Sequence, residues 1–268
     1  MFTEVIGDPV KQTRSPAIHK HWLAEIGLDG DYVATRVRPN ELEGFLARRR
    51  ADPAWRGCNV TIPHKERILP FLDQLAAGAE AIGAVNCIVP REGRLTGFNT
   101  DIDGVAAALG GVPLQGRKVA LIGAGGAARA AVRYLLDVSA RPIVLARDPG
   151  RAEPLRNIET EVLPLSRAGA AFEDAAAIIN ASPLGMIGAA PWPEPLLAAV
   201  AEHAAGKTLF DMVYSPLETP FLAAGRAAGA SCVDGLVMLI GQARSAFRLF
   251  FGEEPPAHDE TLRRRLLA

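Results

Sequence analysis

Short apolar runs rich in β-branched residues alternate along the whole chain with longer Ala- and Leu-rich stretches whose apolar residues recur at helical spacing. The short runs predict buried strands and the longer stretches predict amphipathic helices. An alternation of this kind is typical of parallel sheets that are covered by helices. We therefore predict the α/β fold class.

The first part of the chain predicts a smaller set of strands, namely Glu4–Gly7, Asp31–Arg38, Gly57–Thr61, Ala84–Pro90 and Arg94–Phe98. Helices are expected between them. One helix should begin at about Pro16, because proline is tolerated at the first helical position, and Ser15 should be its N-cap. A second helix should begin at about Glu41, with Asn40 as its N-cap.

From Lys118 onward the alternation becomes stricter and predicts a doubly wound, Rossmann-like sheet. The expected strands are Lys118–Ile122, Pro142–Leu145, Glu161–Leu163, Ala177–Asn180 and Thr208–Met212, and a helix is expected over Gly126–Leu136.

A Gly- and Pro-rich segment at 110–116, preceded by a predicted helix at Asp103–Leu109, marks a domain junction. The long amphipathic stretch Leu236–Phe251 is expected to return to the first domain. The predicted organisation is a first α/β domain at 1–103, a second, Rossmann-like domain at 104–235, and a C-terminal helical segment at 236–268 that packs on the first domain.

Composition narrows the possible functions. The chain has 268 residues, 29 Lys and Arg against 30 Asp and Glu, a net charge of −1, and 49% hydrophobic residues. A chain of this length and hydrophobicity buries a substantial core, which argues against disorder. A near-zero net charge argues against nucleic-acid binding, because phosphate neutralisation needs a clustered basic surface.

The three cysteines, Cys58, Cys87 and Cys232, show neither disulfide-framework nor zinc-site spacing, so we interpret them as reduced core residues. His19 and His64 have no partner at metal-ligand spacing, and we predict no metal. The N-terminus lacks the apolar stretch of a signal peptide, and no apolar run is long enough to span a membrane. We expect a soluble, cytoplasmic protein, either a monomer or a homodimer.

A glycine-rich turn follows the predicted strand Lys118–Ile122 and opens the next helix. It comprises Gly123, Ala124, Gly125, Gly126 and Ala127, and Ala128 completes a G-x-G-x-x-G/A pattern. The first glycine permits the tight turn, the second lets the backbone approach a pyrophosphate, and the helix N-terminus offers N–H groups to it. The strand–turn–helix context predicts dinucleotide binding rather than a purely structural turn.

The choice of dinucleotide is read at the end of the next predicted strand, about 20 residues further on. There Arg147 and Arg151 suit a clamp for the 2′-phosphate of NADP, whereas the carboxylate of Asp148 suits the ribose hydroxyl of NAD. We expect NADP, with NAD as the alternative.

Two polar residues follow predicted strands in the first domain. Lys65 lies just beyond the strand that ends near Pro63, and Asp101 follows the strand Arg94–Phe98. A lysine paired with a carboxylate can exchange a proton with a substrate hydroxyl, as hydride transfer to or from a carbonyl requires. By spacing alone, Lys65 could equally be a surface lysine and Asp101 a helix N-cap.

Taken together, the motifs resemble the shikimate dehydrogenase family over nearly the whole chain. The matching segments are Ile6 to Val10, Thr13 to Pro16 with His19, Asn59 to Lys65, Gly83 to Asn86, Asn99 to Asp101, the glycine-rich turn, Asn180 to Met186, Asp211 to Pro216, and Asp234 to Leu236 with Met238 and Gln242. The resemblance implies reversible reduction of 3-dehydroshikimate to shikimate with a nicotinamide cofactor. It also implies that residues 1–103 form the substrate-binding and catalytic domain and residues 104–235 the dinucleotide-binding domain.

The resemblance also implies roles for individual residues. Lys65 and Asp101 would be the catalytic pair. The substrate would be bound by Thr13, Ser15, Thr61, Asn86, Tyr214 and Gln242. The cofactor would be bound by the glycine-rich turn together with Arg147, Asp148, Arg151, Met212 and Gly235.

Two positions depart from the usual pattern of the family. Thr13 stands in place of a serine and adds a methyl group beside the expected carboxylate site, which could accommodate a different acid such as quinate. Ala146-Arg147-Asp148 replaces the usual Asn-Arg-Thr at the cofactor turn. Three alternatives stay open. The first is a quinate or quinate/shikimate dehydrogenase that uses NAD, the second is a shikimate dehydrogenase-like enzyme that uses an amino analogue and NAD, and the third is a nucleotide-sensing binding module that keeps the fold without the chemistry.

Overall fold

The computed structural model describes residues 1–10, 13–257 and 260–267. They form two compact units, one of Met1–Asp101 with Gln242–Ala268 and the other of Ile102–Gly241. The sequence places domain boundaries at 103/104 and 235/236, whereas the two units meet within the helices Asp101–Leu109 and Gly235–Phe251. Each of these helices therefore carries the chain from one unit into the other.

The strands are β1 (Phe2–Gly7), β2 (Asp31–Arg36), β3 (Trp55–Val60), β4 (Gln74–Leu75), β5 (Cys87–Arg91), β6 (Arg94–Phe98), β7 (Lys118–Ile122), β8 (Arg141–Ala146), β9 (Glu161–Pro164), β10 (Ala177–Asn180), β11 (Thr208–Asp211) and β12 (Ser231–Val233). The α-helices are α1 (Ser15–Ile26), α2 (Leu42–Arg50), α3 (Ala77–Ile82), α4 (Asp101–Leu109), α5 (Gly126–Asp137), α6 (Pro149–Ala152), α7 (Ala168–Asp174), α8 (Glu194–His203), α9 (Pro220–Ala227), α10 (Gly235–Phe251) and α11 (Glu260–Leu267).

The first unit is built on a 6-stranded mixed sheet in the order β2-β1-β3-β5-β6-β4. Strands β1, β2 and β3 run parallel, and β5 is antiparallel to both β3 and β6. Adjacent residues of a strand face opposite sides of the sheet, so Ile6 packs with α2 on one side while Val5 packs with Phe250 of α10 on the other. The C-terminal helix therefore returns to the first unit, as predicted.

The second unit contains a 6-stranded parallel sheet in the order β12-β11-β10-β7-β8-β9. Counted within the unit, this is the doubly wound order of dinucleotide-binding folds, in which the first and fourth strands are neighbours. Val119 and Leu121 of β7 contribute to one core, and Ala120 and Ile122 contribute to the core on the opposite face. Burial on both faces explains why these strands read as continuous apolar runs.

The structure corrects two predicted N-caps. Ser15 is the first residue of α1 and Arg14 is the N-cap, because the Ala17 and Ile18 N–H groups donate to the Arg14 carbonyl and not to the Ser15 side chain. Asn40 lies inside a 3-10 turn at Pro39–Glu41 rather than capping α2. In that turn the Glu41 carboxylate accepts the Arg38 N–H at 2.7 Å, and α2 begins at Leu42 with Glu41 as its N-cap and no side-chain capping bond.

The predicted strand Ala84–Pro90 is shorter in the structure and begins at Cys87. The Val85 N–H donates to the Lys65 carbonyl at 2.8 Å, so the residues just before β5 tie two loops together. The helix predicted at Asp103–Leu109 begins earlier, at Asp101. Among the described residues, no helix has both the length and the apolar character needed to cross a membrane.

Candidate active site

A partly buried ion pair joins the two residues that the sequence singles out as catalytic. The Lys65 ammonium donates to Asp101 Oδ2, and the two side chains are 18% and 6% exposed, respectively. Asp101 is the first residue of α4, where the helix dipole favours a negative charge. The pair therefore places a cation at the edge of solvent and its carboxylate partner behind it.

Asn86 donates a hydrogen bond to the second oxygen of the Asp101 carboxylate. Its side-chain amide donates to Asp101 Oδ1 at 2.9 Å and to the Thr100 hydroxyl at 2.9 Å, and its Oδ1 accepts the Thr100 N–H at 2.7 Å. The Thr100 hydroxyl also donates to Gln242 Oε1 at 3.4 Å. The structure thus brings Lys65, Asp101, Asn86 and Gln242 into one buried cluster.

Local backbone contacts explain this arrangement. The Lys65 carbonyl accepts the Val85 N–H, which holds the loop after β3 against the residues before β5. Asn99 holds the start of α4, because its Oδ1 accepts the Asp101 N–H at 3.1 Å and its Nδ2 donates to the Ala84 carbonyl at 2.9 Å. Three loops that are distant in sequence therefore meet at the ion pair.

Two hydroxyl groups lie together at the start of α1. The Thr13 hydroxyl donates to Ser15 Oγ at 3.2 Å, and Ser15 is buried. Thr61 follows β3, and its N–H donates to the Ile6 carbonyl at 2.9 Å. A Cβ on Gly7 would lie 2.5 Å from the Thr61 methyl group, so a glycine at the end of β1 makes room for that side chain.

The glycine-rich turn opens α5 as predicted. Gly123 has φ +115°, and a Cβ there would lie 2.9 Å from the Ala181 carbonyl oxygen, so both conformation and space require glycine. Gly125 is the N-cap of α5, and no heavy atom lies within 4 Å of where its Cβ would be. No side chain caps α5 and no acidic residue lies in its first turn, so Gly126 and Ala127 begin a helix end that suits an anion.

The charged residues after β8 have different environments. Arg147, Asp148 and Arg151 are all exposed. Asp148 is the N-cap of α6, and its Oδ1 accepts the Gly150 N–H at 3.0 Å. In the part of the chain that the structure describes, neither arginine has a hydrogen bond or ion pair from its guanidinium. The Asp148 carboxylate therefore caps α6, while the guanidinium groups of Arg147 and Arg151 are available to a ligand.

Met212 and Tyr214 follow β11 and are half-buried. Gly235 packs beneath this segment, because a Cβ there would lie 2.5 Å from the Val213 carbonyl oxygen and 2.7 Å from that of Met212. Asp211, at the end of β11, accepts hydrogen bonds from Asn180 Nδ2, the Val213 N–H and the Thr219 hydroxyl. Burial raises the pKa of Asp211 from 3.8 to about 6, against the opposing effect of these three bonds.

Three residues of the first-unit cluster were missing from the predicted site. Thr100 and Asn99 organise Asp101 and Asn86, and Asn59 accepts the buried Tyr32 hydroxyl at 2.7 Å while donating to the Asn86 carbonyl at 3.1 Å. All three lie within the sequence motifs that carry the family resemblance, which was the available signal. Among the described residues, no group of three or more His, Cys, Asp or Glu side chains could hold a metal ion.

Comparisons with known proteins match both ends of the chain to family models. Residues 5–88 match the shikimate dehydrogenase substrate binding domain, and residues 235–259 match the shikimate 5'-dehydrogenase C-terminal domain. The chain is 42% identical over 273 residues to a shikimate dehydrogenase (NADP(+)) of Sphingopyxis alaskensis, covering 100% of this chain and 97% of the relative.

Solved structures give the same result. A shikimate 5-dehydrogenase of Thermus thermophilus in complex with NADP(H) and shikimate has a TM-score of 0.86 at 37% identity, with 100% of both chains covered. A shikimate 5-dehydrogenase of Listeria monocytogenes in complex with shikimate and NAD has a TM-score of 0.85 at 27% identity, covering 99% of this chain and 96% of that one. The motifs, the doubly wound second unit and these similarities lead to one conclusion, that the chain belongs to the shikimate dehydrogenase family.

Proposed function

We propose that this protein is an NADP-linked shikimate dehydrogenase, which reversibly reduces 3-dehydroshikimate to shikimate. The observation that carries the proposal is the partly buried Lys65–Asp101 pair, supported by Asn86, in a chain of this family. The NADP-linked names of the curated relatives support the same activity.

The Lys65–Asp101 pair handles the proton. When shikimate is oxidised, its hydroxyl gives a proton to the pair while the carbon that bears the hydroxyl gives up a hydride, which leaves a carbonyl. The reverse reaction returns the proton from the pair. Lys65 is the more exposed member and contacts the substrate, while Asp101 keeps the lysine in place through Oδ2. Asn86 fixes the carboxylate through Oδ1, so the pair is oriented before substrate binds.

The substrate carboxylate binds at Thr13 and Ser15, whose hydroxyl groups lie 3.2 Å apart at the start of α1. Thr61, Asn86, Tyr214 and Gln242 complete the recognition of the substrate. Thr13 also carries a methyl group beside the proposed carboxylate site. This methyl group is the feature that would change the preference between shikimate and quinate.

The open N-terminus of α5 fits a dinucleotide, because Gly125 leaves space where a side chain would stand and the first turn carries no acidic residue. Bound NADP⁺ supplies the hydride acceptor for the reaction. Gly123, Ala124, Gly125, Gly126 and Ala127 hold the pyrophosphate, and Met212 and Gly235 face the cofactor.

The preference for NADP rests on Arg147 and Arg151. Both are exposed and without an ion pair among the described residues, so they can bind the 2′-phosphate, whereas Asp148 is engaged as the N-cap of α6. A carboxylate that bonds its own helix competes less well for a ribose hydroxyl. Asp148 still places a negative charge near the phosphate and should weaken the preference.

The decisive experiment compares kcat/KM for shikimate and quinate, each with NADP⁺ and NAD⁺. We expect the highest value for shikimate with NADP⁺. A highest value for quinate would make the protein a quinate or quinate/shikimate dehydrogenase, and a highest value with NAD⁺ would overturn the cofactor assignment. Absence of turnover with all combinations would favour a nucleotide-sensing module that retains the fold without the chemistry.

Several expectations from the sequence concern the protein in the cell. A cytoplasmic location, a monomeric or homodimeric state and the absence of nucleic-acid binding remain predictions.

A further inference from the structure

Asp211 is a fully buried carboxylate that the proposed mechanism does not use. It accepts Asn180 Nδ2 at 2.8 Å and the Val213 N–H at 2.9 Å on Oδ1, and the Thr219 hydroxyl at 2.6 Å on Oδ2. Asn180 and Thr219 are themselves fully buried. One carboxylate therefore connects residues from three separate segments.

The three segments that Asp211 connects lie at one edge of the sheet of the second unit. Asn180 ends β10, and its Oδ1 accepts the N–H and the hydroxyl of Ser182 at 3.0 and 2.7 Å, which shapes the loop that packs against Gly123. Val213 lies between Met212 and Tyr214. Thr219 is the N-cap of α9. All three segments follow β10 or β11 at the carboxyl edge of the sheet, where ligands of doubly wound folds bind.

The donors to Asp211 are all uncharged. The charged groups on the neighbouring segments are Glu218 and Arg226, which pair with each other at 3.2 Å on the exposed surface. Other titratable groups nearby in the fold are Tyr214, Cys232 and Asp234, and the 181–193 loop carries none. None of these groups contributes to the raised pKa of Asp211, which results from burial against three opposing hydrogen bonds.

We propose that ionised Asp211 is the positioning residue for the 212–214 segment, and that this segment shifts when Asp211 takes up a proton. An ionised carboxylate accepts at both oxygens, whereas a protonated oxygen becomes a donor. Hydrogen bonds to an ionised acceptor are also the stronger kind, so the Val213 N–H is held most firmly in the ionised state. The consequence for catalysis rests on the proposed function, because that function gives Met212 and Tyr214 their roles.

The direct test is a pH titration of the full-length protein by NMR, which follows the Val213 backbone amide. We expect its chemical shift to move with a single midpoint near pH 6 and to stay constant over the same range in Asp211→Asn. An asparagine accepts from Asn180 and Val213 through Oδ1 and donates to Thr219 through Nδ2 without a charge, so this variant mimics the protonated carboxyl at every pH. A constant Val213 shift in the wild-type protein would overturn the proposal.

The functional test compares KM for NADP⁺ in the wild-type protein and Asp211→Asn. We expect the variant to have a KM about tenfold higher at about pH 7.5 and the ratio to approach one near pH 5, because the wild-type carboxylate is then protonated. Ionisations common to both proteins, including that of the cofactor phosphate, cancel in this ratio. A ratio that does not change with pH would indicate a merely structural role and overturn the proposal.

Asp174→Asn is the matched control. Asp174 is an exposed carboxylate whose pKa is lowered by Lys118, so it stays ionised throughout this range and its KM ratio should stay constant. If the protein turned over no shikimate, the proposed function would fail, whereas the Val213 titration would still report on Asp211. The two failures are therefore distinguishable.

Discussion

The two units differ in what surrounds the buried carboxylate at each site. In the first unit, buried Asp101 faces the Lys65 cation and the Asn86 amide. In the second unit, buried Asp211 faces only uncharged donors, and the exposed cations Arg147 and Arg151 have no ion-pair partner among the described residues. A buried charge is costly unless it is paired, so the two arrangements have different consequences.

This difference indicates how each site is completed. The first unit carries both members of its charge pair and needs only a neutral hydroxyl and a carboxylate from the substrate. In the second unit, Arg147 and Arg151 are available to a ligand phosphate, and the buried Asp211 carboxylate is held by hydrogen bonds from uncharged donors. Charge substitutions should therefore affect chemistry in the first unit and ligand preference or pH dependence in the second.

The largest effect should follow from breaking the charge pair of the first unit. Because the proposed mechanism assigns Lys65 to the chemical step, Lys65→Ala should lower kcat by ~10²–10⁴ while KM for shikimate stays within severalfold. Steady-state kinetics measure both quantities. A kcat near that of the wild-type protein would remove Lys65 from the mechanism.

A double variant distinguishes the loss of the catalytic lysine from the cost of leaving the buried Asp101 carboxylate unpaired. Lys65→Ala leaves Asp101 without its cation, whereas Lys65→Ala combined with Asp101→Asn leaves no charge at all. We expect the double variant to regain stability against urea but not activity. Asp101→Asn alone should also lower kcat strongly, because it removes the partner that holds the lysine.

The next largest effect concerns the unpaired anion of the second unit. The pKa of Asp211 is raised from 3.8 to about 6, so the folded protein holds this proton more tightly than the unfolded chain. The stability that this group contributes is fully present below about pH 4 and is lost as the pH rises through about 6. Relative to wild type, Asp211→Asn should gain up to about 3 kcal/mol in free energy of unfolding between about pH 4 and pH 7.5.

Urea denaturation at several pH values measures this difference, and groups common to both proteins cancel. Asp174→Asn should show no pH-dependent stability difference over this range, because the pKa of Asp174 is lowered by Lys118 and its contribution is lost only as the pH falls below about 4. A stability difference for Asp211→Asn that is independent of pH would contradict this prediction. It would mean that the uncharged donors stabilise the ionised carboxylate as well as water does, so that burial does not raise its pKa.

A smaller effect is expected at the uncharged donors of the first unit. Loss of a hydrogen bond to a charged group costs ~1.5–3 kcal/mol, so Ser15→Ala should raise KM for shikimate roughly 10–150-fold with a smaller change in kcat. An unchanged KM would place the carboxylate elsewhere. Thr13→Ser tests the extra methyl group, and a marked shift in the ratio of kcat/KM for shikimate to that for quinate would assign it to specificity.

The smallest effects should occur at the exposed charges of the second unit, where solvent screens each interaction. Arg147→Ala should bring the ratio of kcat/KM for NADP⁺ to that for NAD⁺ toward or below one. Asp148→Thr should raise this ratio by a few-fold, because threonine removes the repulsive charge and still caps α6. If the wild-type protein prefers NAD⁺ and Asp148→Thr leaves that preference untouched, both the NADP assignment and its electrostatic basis are wrong.

The sequence alone predicted the α/β class, the doubly wound second unit, the helix at Gly126 and the return of the C-terminal helix. These features depend on local patterns, because apolar spacing and glycine position are set by neighbours in the chain. The resemblance to the family selected Lys65 and Asp101, which the structure joins in an ion pair. The sequence misplaced the N-caps at Ser15 and Asn40 by one residue, since α1 begins directly after Arg14 and Asn40 lies inside the 3-10 turn that precedes α2.

Only the tertiary structure decided which partners meet each buried charge. Asn180 and Asp211 lie 31 residues apart in sequence and become neighbours because β10 pairs with β11. Lys65 and Asp101 are separated by 36 residues, and their contact depends on loops that Val85 and Asn99 hold together. Whether a carboxylate meets a cation or an uncharged donor is set by strand order and loop packing, and the electrostatics of the site follow from that long-range geometry.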